Sequence, residues 1–415
     1  MIDDIRKLIQ QAAETARRET SDEPEPQFTG DVKYPVECQV GKGLEGAIAT
    51  DTKVGYVNGA KGWLVYRGYD CFDLAEHSTF EETTYLLFEG KLPTRRDLDA
   101  FEEQLRGHRQ VPEAVLDVLR RVPIDKTHPM SALRTAVSVL GNLDPDAEDT
   151  SPAKEKRIAV QLVAQFPTLV AAIARLREGK PVVAPRTDLG HAENFLYMMT
   201  GADPDPALAK VMDIMLILHA DHGMNASTFT TMVVNSSLSD LYGSVTAGVA
   251  SLKGPLHGGA NEKVLYDLEE IGDAGNVPAW FARARETKRK INGFGHRVYK
   301  AYDPRARILG PIAKLITDRD PGTRKLYEVA VQLDHLVTSE LGQEKKIFPN
   351  VDFYSGLVYR AMGIETAMFT PIFAVARVPG WTARALEYLA DNRIFRPRAI
   401  YTGPVSERYL EIDRR

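Results

Sequence analysis

The stretch PAKEKRIAVQLVAQFPTLVAAIARLR, residues 152–177, decides the fold class of this chain. Its apolar side chains recur at the three- and four-residue spacing of an α-helix, and it is the longest segment with this pattern. Further segments show the same spacing: 2–12, 72–88, 94–107, 131–140, 205–218, 226–234, 239–252, 308–316, 324–341 and 381–390. Helix follows helix from residue 70 onward, so the sequence predicts an all-α fold with minor β structure.

Strand-like runs are short, and two of them form a pair near the N-terminus. Residues 54–57 and 63–66 are rich in β-branched and aromatic side chains and flank the turn sequence NGAKG, which predicts a small β-hairpin. The first helix is predicted to lie on the surface or at a subunit contact, and the acidic, Pro-containing linker 21–31 predicts poor order. A Gly- and Pro-rich stretch at 253–260 predicts a hinge between two domains.

The composition is that of an ordinary globular protein, since 44% of the 415 residues are hydrophobic and 26% are charged. The formal net charge of −5 and the lack of a Lys/Arg run argue against a nucleic-acid partner. No apolar run approaches the roughly 18 residues that span a bilayer, and the N-terminus lacks the apolar core of a secretory signal. We therefore expect a cytoplasmic protein without a membrane or nucleic-acid partner, in which local Arg clusters can still bind a small anion.

A histidine surrounded by glycines, His257 in KGPLHGGANEKV, is the first catalytic candidate. Glycines let the backbone approach a ligand closely, and the helix start expected near Ala260 offers unpaired N–H groups to an anion. The positive end of that helix disfavours a charged imidazolium, so a neutral His257 could donate a hydrogen bond to a carbonyl oxygen. The competing interpretation is a turn histidine that only caps the helix.

A second histidine, His296 in NGFGHRVYKAYDPRARIL, also follows glycines and precedes the basic residues Arg297, Lys300, Arg305 and Arg307. The Gly-x-Gly has no third glycine at the offset of a dinucleotide-binding loop. Clustered basic side chains beside a glycine loop suit phosphates or carboxylates, which guanidinium groups bind bidentately. The competing interpretation is a solvated basic start of a helix.

Asp352, in KIFPNVDFYSGLVY, is flanked by apolar and aromatic side chains. Burial among such neighbours raises the pKa of a carboxyl group, and a raised pKa makes it a better proton acceptor from a weak carbon acid. The competing interpretation is an N-cap for the helix that begins at Phe353.

Two further histidines, His219 and His222 in LILHADHGMNAS, have a spacing that places both on one helix face. A metal site on this pair is disfavoured because the HExxH and Glu-x-x-His patterns are absent and no cysteine is near. Hydrogen bonding to a substrate is the more ordinary role. A functional alternative from another class is a metal-dependent hydrolase built on this pair and a carboxylate.

Taken together, GPLHGGANE, GFGHRVYKAYDPRA, FPNVDFYSG, LILHADHGMNAS and RPRAIYTG resemble the citrate synthase family, and GWLVYRGYDCFDLAEHSTFEETTYLLFEGKLP extends the match. The resemblance implies a citrate-synthase-like, all-α fold with a large domain (1–258 and 366–415) and a small domain (259–365) that carries the CoA-binding loop. It also implies an acyltransferase that condenses acetyl-CoA with oxaloacetate and hydrolyses citryl-CoA to citrate and CoA. This reaction starts the tricarboxylic acid cycle and uses neither a cofactor nor a metal.

The resemblance further implies roles for individual residues. Asp352 would take a proton from the acetyl methyl group, His257 would stabilise the enol at the thioester oxygen, and His296 would polarise the oxaloacetate carbonyl and protonate the alkoxide. Oxaloacetate or citrate would bind to His222, Arg305, Arg377 and Arg396, and CoA to Gly293, Phe294, Gly295, Arg297 and Lys300. The family implies a homodimer, in which Arg396 would reach the active site of the neighbouring subunit.

The nearest alternative activity is that of 2-methylcitrate synthase, which takes propionyl-CoA. One extra methylene changes discrimination by only about 1–3 kcal/mol, so the two activities are hard to separate. The segments FPNVDFYSG and DPRARIL look more like those of the citrate enzymes and favour acetyl-CoA. A non-catalytic regulator that binds CoA or a carboxylate is an alternative from another class.

Overall fold

The computed structural model describes residues 1–25 and 32–415, and these are mainly helical. Residues 26–31, part of the linker predicted to be poorly ordered, lie outside the described residues. The helices are α1 (Ile2–Glu19), α2 (Cys71–His77), α3 (Phe80–Glu89), α4 (Arg95–Gly107), α5 (Glu113–Arg121), α6 (Pro129–Leu143), α7 (Pro152–Arg177), α8 (His191–Thr200), α9 (Pro206–His219), α10 (Ala226–Asn235), α11 (Leu241–Leu252), α12 (Ala260–Ile271), α13 (Val277–Glu286), α14 (Pro304–Thr317), α15 (Pro321–Val337), α16 (Gln343–Lys345), α17 (Val351–Ala361) and α18 (Phe369–Leu389). The predicted all-α fold is confirmed.

A small antiparallel sheet lies near the N-terminus, with the strands β1 (Gly55–Asn58), β2 (Trp63–Tyr66) and β3 (Tyr69–Asp70) in that order. β1 and β2 pair along their whole length, so the predicted hairpin is confirmed. The third strand was not predicted, because it has only two residues and follows a tight turn. That turn places Arg67 and Gly68 at φ values of 48° and 93°, and the sequence signals it by a single glycine.

Helix α7 forms the centre of the core, where it packs against α4, α6, α8, α11 and α18. Residues 162–175 of this helix are all buried. By length and composition α7 is the one helix in the described part of the chain that could cross a membrane, contrary to the expectation that no apolar run approaches this length. However, 89% of its apolar 18-residue window is buried inside the protein, which is the pattern of a core helix.

Local capping residues set several helix ends. At the start of α4, the Thr94 hydroxyl accepts the backbone N–H of Asp97, and the Asp97 carboxylate accepts the N–H of Thr94. Gly90 ends α3 in the left-handed conformation. The single helix predicted for 72–88 is wrong, because Thr79 acts as the N-cap of a new helix and divides this segment into α2 and α3.

The N-terminal helix α1 is docked within its own chain. It packs against α2 and α14 and buries Ile5 and Ile9 almost completely. Glu19 at its end forms an ion pair with Arg307 on α14. The prediction of a surface or subunit-contact helix is therefore incomplete, because one face of α1 belongs to the core.

Helices α12 to α17 fall within the predicted small domain, residues 259–365, and pack against one another. Helix α14 lies along α17, and α15 contacts both. The starts of α14 and α17 are directly bonded, since the Asp303 carboxylate accepts the backbone N–H of Val351 at 3.1 Å. The division into this domain and a large one of 1–258 and 366–415 stays a prediction.

One buried carboxyl in the core allows a stability prediction. Glu155, in the first turn of α7, is fully buried, and neither carboxylate oxygen has a hydrogen-bond partner among the described residues. Burial raises its pKa from 4.5 to about 7. Because the unfolded chain ionises first, this group destabilises the folded state increasingly as the pH rises between these two values.

We expect Glu155→Gln to raise the free energy of unfolding by about 1–3 kcal/mol at alkaline pH, because it removes the cost of ionisation. The gain should shrink towards zero as the pH falls to about 4.5, where both side chains are neutral. Urea unfolding of the two proteins across this pH range measures the difference. A gain that does not depend on pH would contradict this account.

Candidate active site

The three candidate catalytic side chains lie in loops or at a helix start. His257 lies in the turn between α11 and α12, His296 in the loop between α13 and α14, and Asp352 in the first turn of α17. Each of two arginines acts electrostatically on two of these side chains. Arg377 on α18 acts on His257 and Asp352, and Arg305 in the first turn of α14 acts on His296 and Asp352. These shared arginine partners link the three candidate residues.

His257 is held by Ser227 at the start of α10. The backbone N–H of Ser227 donates to Nε2 of His257 at 3.2 Å, and the Ser227 hydroxyl lies 2.7 Å from the same nitrogen. Because Nε2 accepts a hydrogen bond, the neutral ring carries its proton on Nδ1. Burial, together with Arg377, lowers the pKa of His257 to about 4. The N-cap of α12 is Gly259, so the helix-capping interpretation of His257 is wrong.

His296 has the opposite tautomer. The backbone N–H groups of Val298 and Tyr299 both donate to its Nδ1, at 3.0 and 3.2 Å. The neutral ring therefore carries its proton on Nε2. Burial lowers the pKa of His296 to about 4, although Asp303 opposes this shift. Since α14 begins only at Pro304, the interpretation of His296 as part of a helix start is wrong.

Asp352 is left free of the capping role that the sequence allowed for it. Asn350 is the N-cap of α17, and its Oδ1 accepts the backbone N–H of Asp352 at 3.0 Å. The Oδ1 atom of Asp352 is buried and has no hydrogen-bond partner in the described chain. Burial raises the pKa of Asp352 to about 7, although Arg305 and Arg377 oppose the shift. Such a carboxyl group can accept a proton near neutral pH.

A residue that was not predicted from the sequence, Asp303, joins the loop of His296 to α17. Asp303 is the N-cap of α14 and binds Nη2 and Nε of Arg305 at 2.7 and 3.0 Å. It also accepts the backbone N–H of Val351, the residue before Asp352. Both members of the ion pair are almost fully buried. The Asp-Pro sequence signals a cap, but only the folded chain brings α17 to it.

His222 and Arg377 add further polar groups to the site. Nε2 of His222 lies 3.1 Å from the Tyr299 hydroxyl, and the His222 and His296 rings are 5.1 Å apart. Burial lowers the pKa of His222 well below its ordinary value. Arg377 donates through Nε to the carbonyl of His219 at 2.6 Å, while its buried Nη2 has no partner among the described residues. An unpaired buried guanidinium nitrogen suits an anionic ligand.

The prediction that His219 and His222 share one helix face is wrong. Helix α9 ends at His219, whose Nδ1 lies 2.7 Å from the Met215 carbonyl and whose ring packs against Phe373. His222 follows the helix and faces His296 instead. In residues 1–25 and 32–415, no three His, Cys, Asp or Glu side chains are grouped so that they could hold a metal ion. The hydrolase alternative therefore finds no support in this part of the chain.

A second buried ion pair supports the loop that carries His222. Asp221 binds Arg384 of α18 at 2.7 and 2.8 Å, and Arg384 also donates to the Gly55 carbonyl at 3.1 Å. These bonds connect the loop after α9 to both α18 and β1. Neither residue was predicted, because the two are 163 positions apart and no local pattern marks the pair.

The predicted CoA-binding residues divide into a packed part and an exposed part. Gly293 has a φ of 78°, and a Cβ there would lie 2.8 Å from an atom of the Phe353 ring. Gly295 has a φ of 76° and open space around it. Phe294 is buried, with its ring centroid 4.6 Å from that of Phe353. The exposed part consists of Arg297 and Lys300. Gly293 thus lets the loop fit closely against α17, and the basic side chains face solvent.

Arg396 differs in exposure from the other predicted oxaloacetate-binding residues, which are buried. It is exposed on the segment that follows α18. The same segment exposes several large apolar side chains: Ile394, Ile400, Tyr401, Val405, Tyr409 and Ile412. A contribution of Arg396 to a neighbouring subunit stays a prediction.

Known proteins resemble this chain over most of its length. Residues 43–398 match the family described as citrate synthase, C-terminal domain. Citrate synthase of Deinococcus radiodurans is 47% identical over 373 residues, which are 90% of this chain and 98% of that protein. 2-Methylcitrate synthase of Mycobacterium tuberculosis is 41% identical over 362 residues, which are 87% of this chain and 90% of that protein. The structure of Thermoplasma acidophilum citrate synthase in a ternary complex with carboxymethyl coenzyme A and oxaloacetate has a TM-score of 0.87 at 33% identity, and covers 91% of this chain and 100% of that one.

The matched region includes every candidate residue from His222 to Arg396. The resemblance on which these residues were predicted is confirmed, and the chain is an enzyme of the acyltransferase class. The chain belongs to the citrate synthase family.

Proposed function

We propose that the protein condenses acetyl-CoA with oxaloacetate and hydrolyses the resulting citryl-CoA to citrate and CoA. The observation that carries the proposal is the protonation pattern of the site. Two neutral histidines with opposite tautomers share arginine partners with a carboxyl group whose pKa is about 7. Condensation requires one base for a carbon acid and a hydrogen-bond donor at each of two carbonyl oxygens, and this set provides them.

The first step forms the nucleophile. The Asp352 carboxylate takes a proton from the methyl group of acetyl-CoA, and the electron pair of that C–H bond forms the enolate double bond. Negative charge develops on the thioester oxygen, where Nδ1–H of His257 donates a hydrogen bond. Ser227 occupies Nε2 and so keeps the proton on the nitrogen that is free to donate. A donor held in place before the charge develops stabilises the transition state more than solvent does.

The second step forms the carbon–carbon bond. The enolate carbon attacks the keto carbon of oxaloacetate, and the carbonyl electron pair moves onto the keto oxygen, which receives the proton from Nε2 of His296. Water then cleaves the thioester, and citrate and CoA leave. Exchange with solvent returns the proton that Asp352 gained and replaces the one that His296 lost. The two backbone bonds to Nδ1 hold the His296 ring in the required orientation.

The carboxylates of oxaloacetate require cationic partners inside the site. Arg305 uses Nε and Nη2 for Asp303, so its Nη1 is left for a ligand. Arg377 has an unpaired Nη2, and its pKa of about 10 keeps it charged at neutral pH. His222 lies beside His296 and completes the set. The Thermoplasma acidophilum complex with carboxymethyl coenzyme A and oxaloacetate supports both ligand classes.

The CoA moiety is assigned to the loop of Gly293, Phe294 and Gly295, with Arg297 and Lys300 at its exposed edge. The active unit is assigned as a cytoplasmic homodimer, in which Arg396 completes the site of the neighbouring subunit. The exposed apolar side chains of the segment after α18 support a subunit contact there. The proposed reaction uses neither a cofactor nor a metal.

The preferred acyl group is tested first. We expect CoA release from acetyl-CoA in the presence of oxaloacetate, and slower release from propionyl-CoA, by about 10- to 200-fold at most. Similarity favours acetyl-CoA, since the matched citrate synthase is 47% identical and the matched 2-methylcitrate synthase 41%. Thiol release is followed with a colour reagent. No release from either substrate would refute the proposed function, and faster release from propionyl-CoA would assign the 2-methylcitrate activity.

Loss of the base is tested with Asp352→Asn. We expect turnover to fall by about 100- to 10,000-fold, because an amide cannot take the methyl proton. Oxaloacetate binding, measured by calorimetry, should remain near the wild-type value because the arginines are unchanged. The matched control is Glu155→Gln, which removes a second buried carboxyl with a pKa of about 7. Its electrostatic partners are Asp240 and Asp149 and not residues of the site, so this variant should leave turnover intact. If Asp352→Asn keeps most of its activity, the base is wrongly assigned.

The pH dependence of kcat/KM reports the ionisation of the free enzyme. Only ionised Asp352 accepts a proton, so we expect kcat/KM for acetyl-CoA to fall about tenfold per pH unit below about 7. His257 and His296, with pKa values of about 4, stay neutral over this range and do not add a second transition. Glu155→Gln should show the wild-type profile. A profile that stays flat through pH 7 would contradict the role of Asp352.

A further inference from the structure

One carboxylate on α15, that of Asp334, connects two segments that adjoin the candidate active site. Oδ2 of Asp334 accepts hydrogen bonds from the hydroxyls of Tyr302 at 2.7 Å and Tyr354 at 2.6 Å. Its other oxygen, Oδ1, accepts the hydroxyl of Thr338 at 2.9 Å. Thr338 thus holds the Asp334 carboxylate in place. The same carboxylate joins Tyr302, which precedes α14, to Tyr354 on α17.

Both tyrosines adjoin residues of the proposed machinery. Tyr302 directly precedes Asp303, which holds Arg305. Tyr354 follows Asp352 by two residues on α17. A hydroxyl that anchors either tyrosine therefore also anchors the backbone that carries a functional side chain.

Packing restrains the tyrosine rings as well. The Arg307 guanidinium lies 4.5 Å from the centre of the Tyr302 ring, and the Tyr354 ring packs so closely on Gly310 of α14 that a Cβ there would come within 3.3 Å. Burial raises the pKa of both hydroxyls well above the ordinary value, so both keep the protons that they donate to Asp334.

We propose that Asp334 is a positioning residue for the condensation: it places Asp352 through Tyr354, and Arg305 through Tyr302. The inference rests on the proposed function, because it assigns Asp334 to the reaction derived above. Hydrogen bonds to a carboxylate are stronger than those between neutral groups, so one side chain can restrain both tyrosines. Asp334 bonds to tyrosine and threonine hydroxyls, and it acts only through them.

The Asp334 bonds restrain α17 on the other side of Asp352 from the hydrogen bonds at its start. Asn350 bonds to Gly293 and Gly295, and Val351 bonds to Asp303, so these bonds all hold residues that precede Asp352. A pivot of the first turn about them would displace the Asp352 carboxylate from the reacting carbon. A misplacement of about 1 Å at a reacting group can cost about 100-fold in rate. The Asp334 bonds fix a second point and oppose the pivot.

The connections through Tyr354 and through Tyr302 predict different kinetic changes. Tyr354→Phe should lower kcat about tenfold and leave KM for oxaloacetate near the wild-type value, because it releases the base. Tyr302→Phe should raise KM for oxaloacetate about tenfold with a smaller change in kcat, because it releases Arg305. Asp334→Ala should combine both effects. Asp334→Asn keeps an acceptor oxygen and should retain more activity than Asp334→Ala.

The matched control is Tyr327→Phe. Tyr327 lies on α15 close enough to Asp334 to be affected electrostatically, but it is not one of the two tyrosines that bond to it. All variants are compared at a temperature where circular dichroism shows the same folded fraction, and the two Tyr→Phe variants decide the outcome if Asp334→Ala does not fold.

The inference is overturned if both Tyr→Phe variants keep kcat and KM within about twofold of the control, or if both change the same parameter by the same factor. An active wild-type protein with unchanged variants refutes only this inference. A wild-type protein that releases no CoA refutes the proposed function, and this inference with it.

Discussion

The buried carboxylate of Asp303 is the group on which the candidate active site depends. A buried ion pair is favourable only when its remaining hydrogen-bonding positions are also used. Oδ1 of Asp303 accepts the backbone N–H and Nε of Arg305, and Oδ2 accepts Nη2 of Arg305 and the N–H of Val351. One side chain therefore caps α14, orients the Arg305 guanidinium and holds the start of α17. Removing either charge would leave the other buried and unpaired, at a cost of about 3–5 kcal/mol.

The same requirement explains which atoms are left for a ligand. Buried polar atoms are normally paired, so an unpaired one has to be accounted for. Oδ1 of Asp352 and Nη2 of Arg377 are both buried and unpaired within the described chain, whereas the supporting carboxylates Asp303 and Asp221 are fully bonded. Glu155 is also unpaired, but the charged groups that act on it are Asp240 and Asp149 and not residues of the candidate site. An unpaired atom therefore indicates a ligand site only where other functional groups surround it.

Features that depend on near neighbours in the chain could be predicted from the sequence. The length of α7, the cap of α4 and the glycine-flanked histidines are all local patterns. The break at Thr79 was missed, because a capping threonine inside an apolar pattern competes with a continuous helix and packing decides between them. The ion pair of Asp221 and Arg384 was missed because its partners meet only in the folded chain.

The tautomers of His257 and His296 also could not be predicted from the sequence, and they matter most for the proposed chemistry. Burial favours the neutral form of any ionisable group, so it lowers the pKa of His257 and His296 to about 4 and raises that of Asp352 to about 7. An imidazolium would be a stronger acid, but protonating the second nitrogen would turn the backbone N–H donors at Nε2 of His257 and Nδ1 of His296 into clashing partners. The chain therefore fixes the tautomer of each ring by occupying one of its nitrogens with backbone N–H groups.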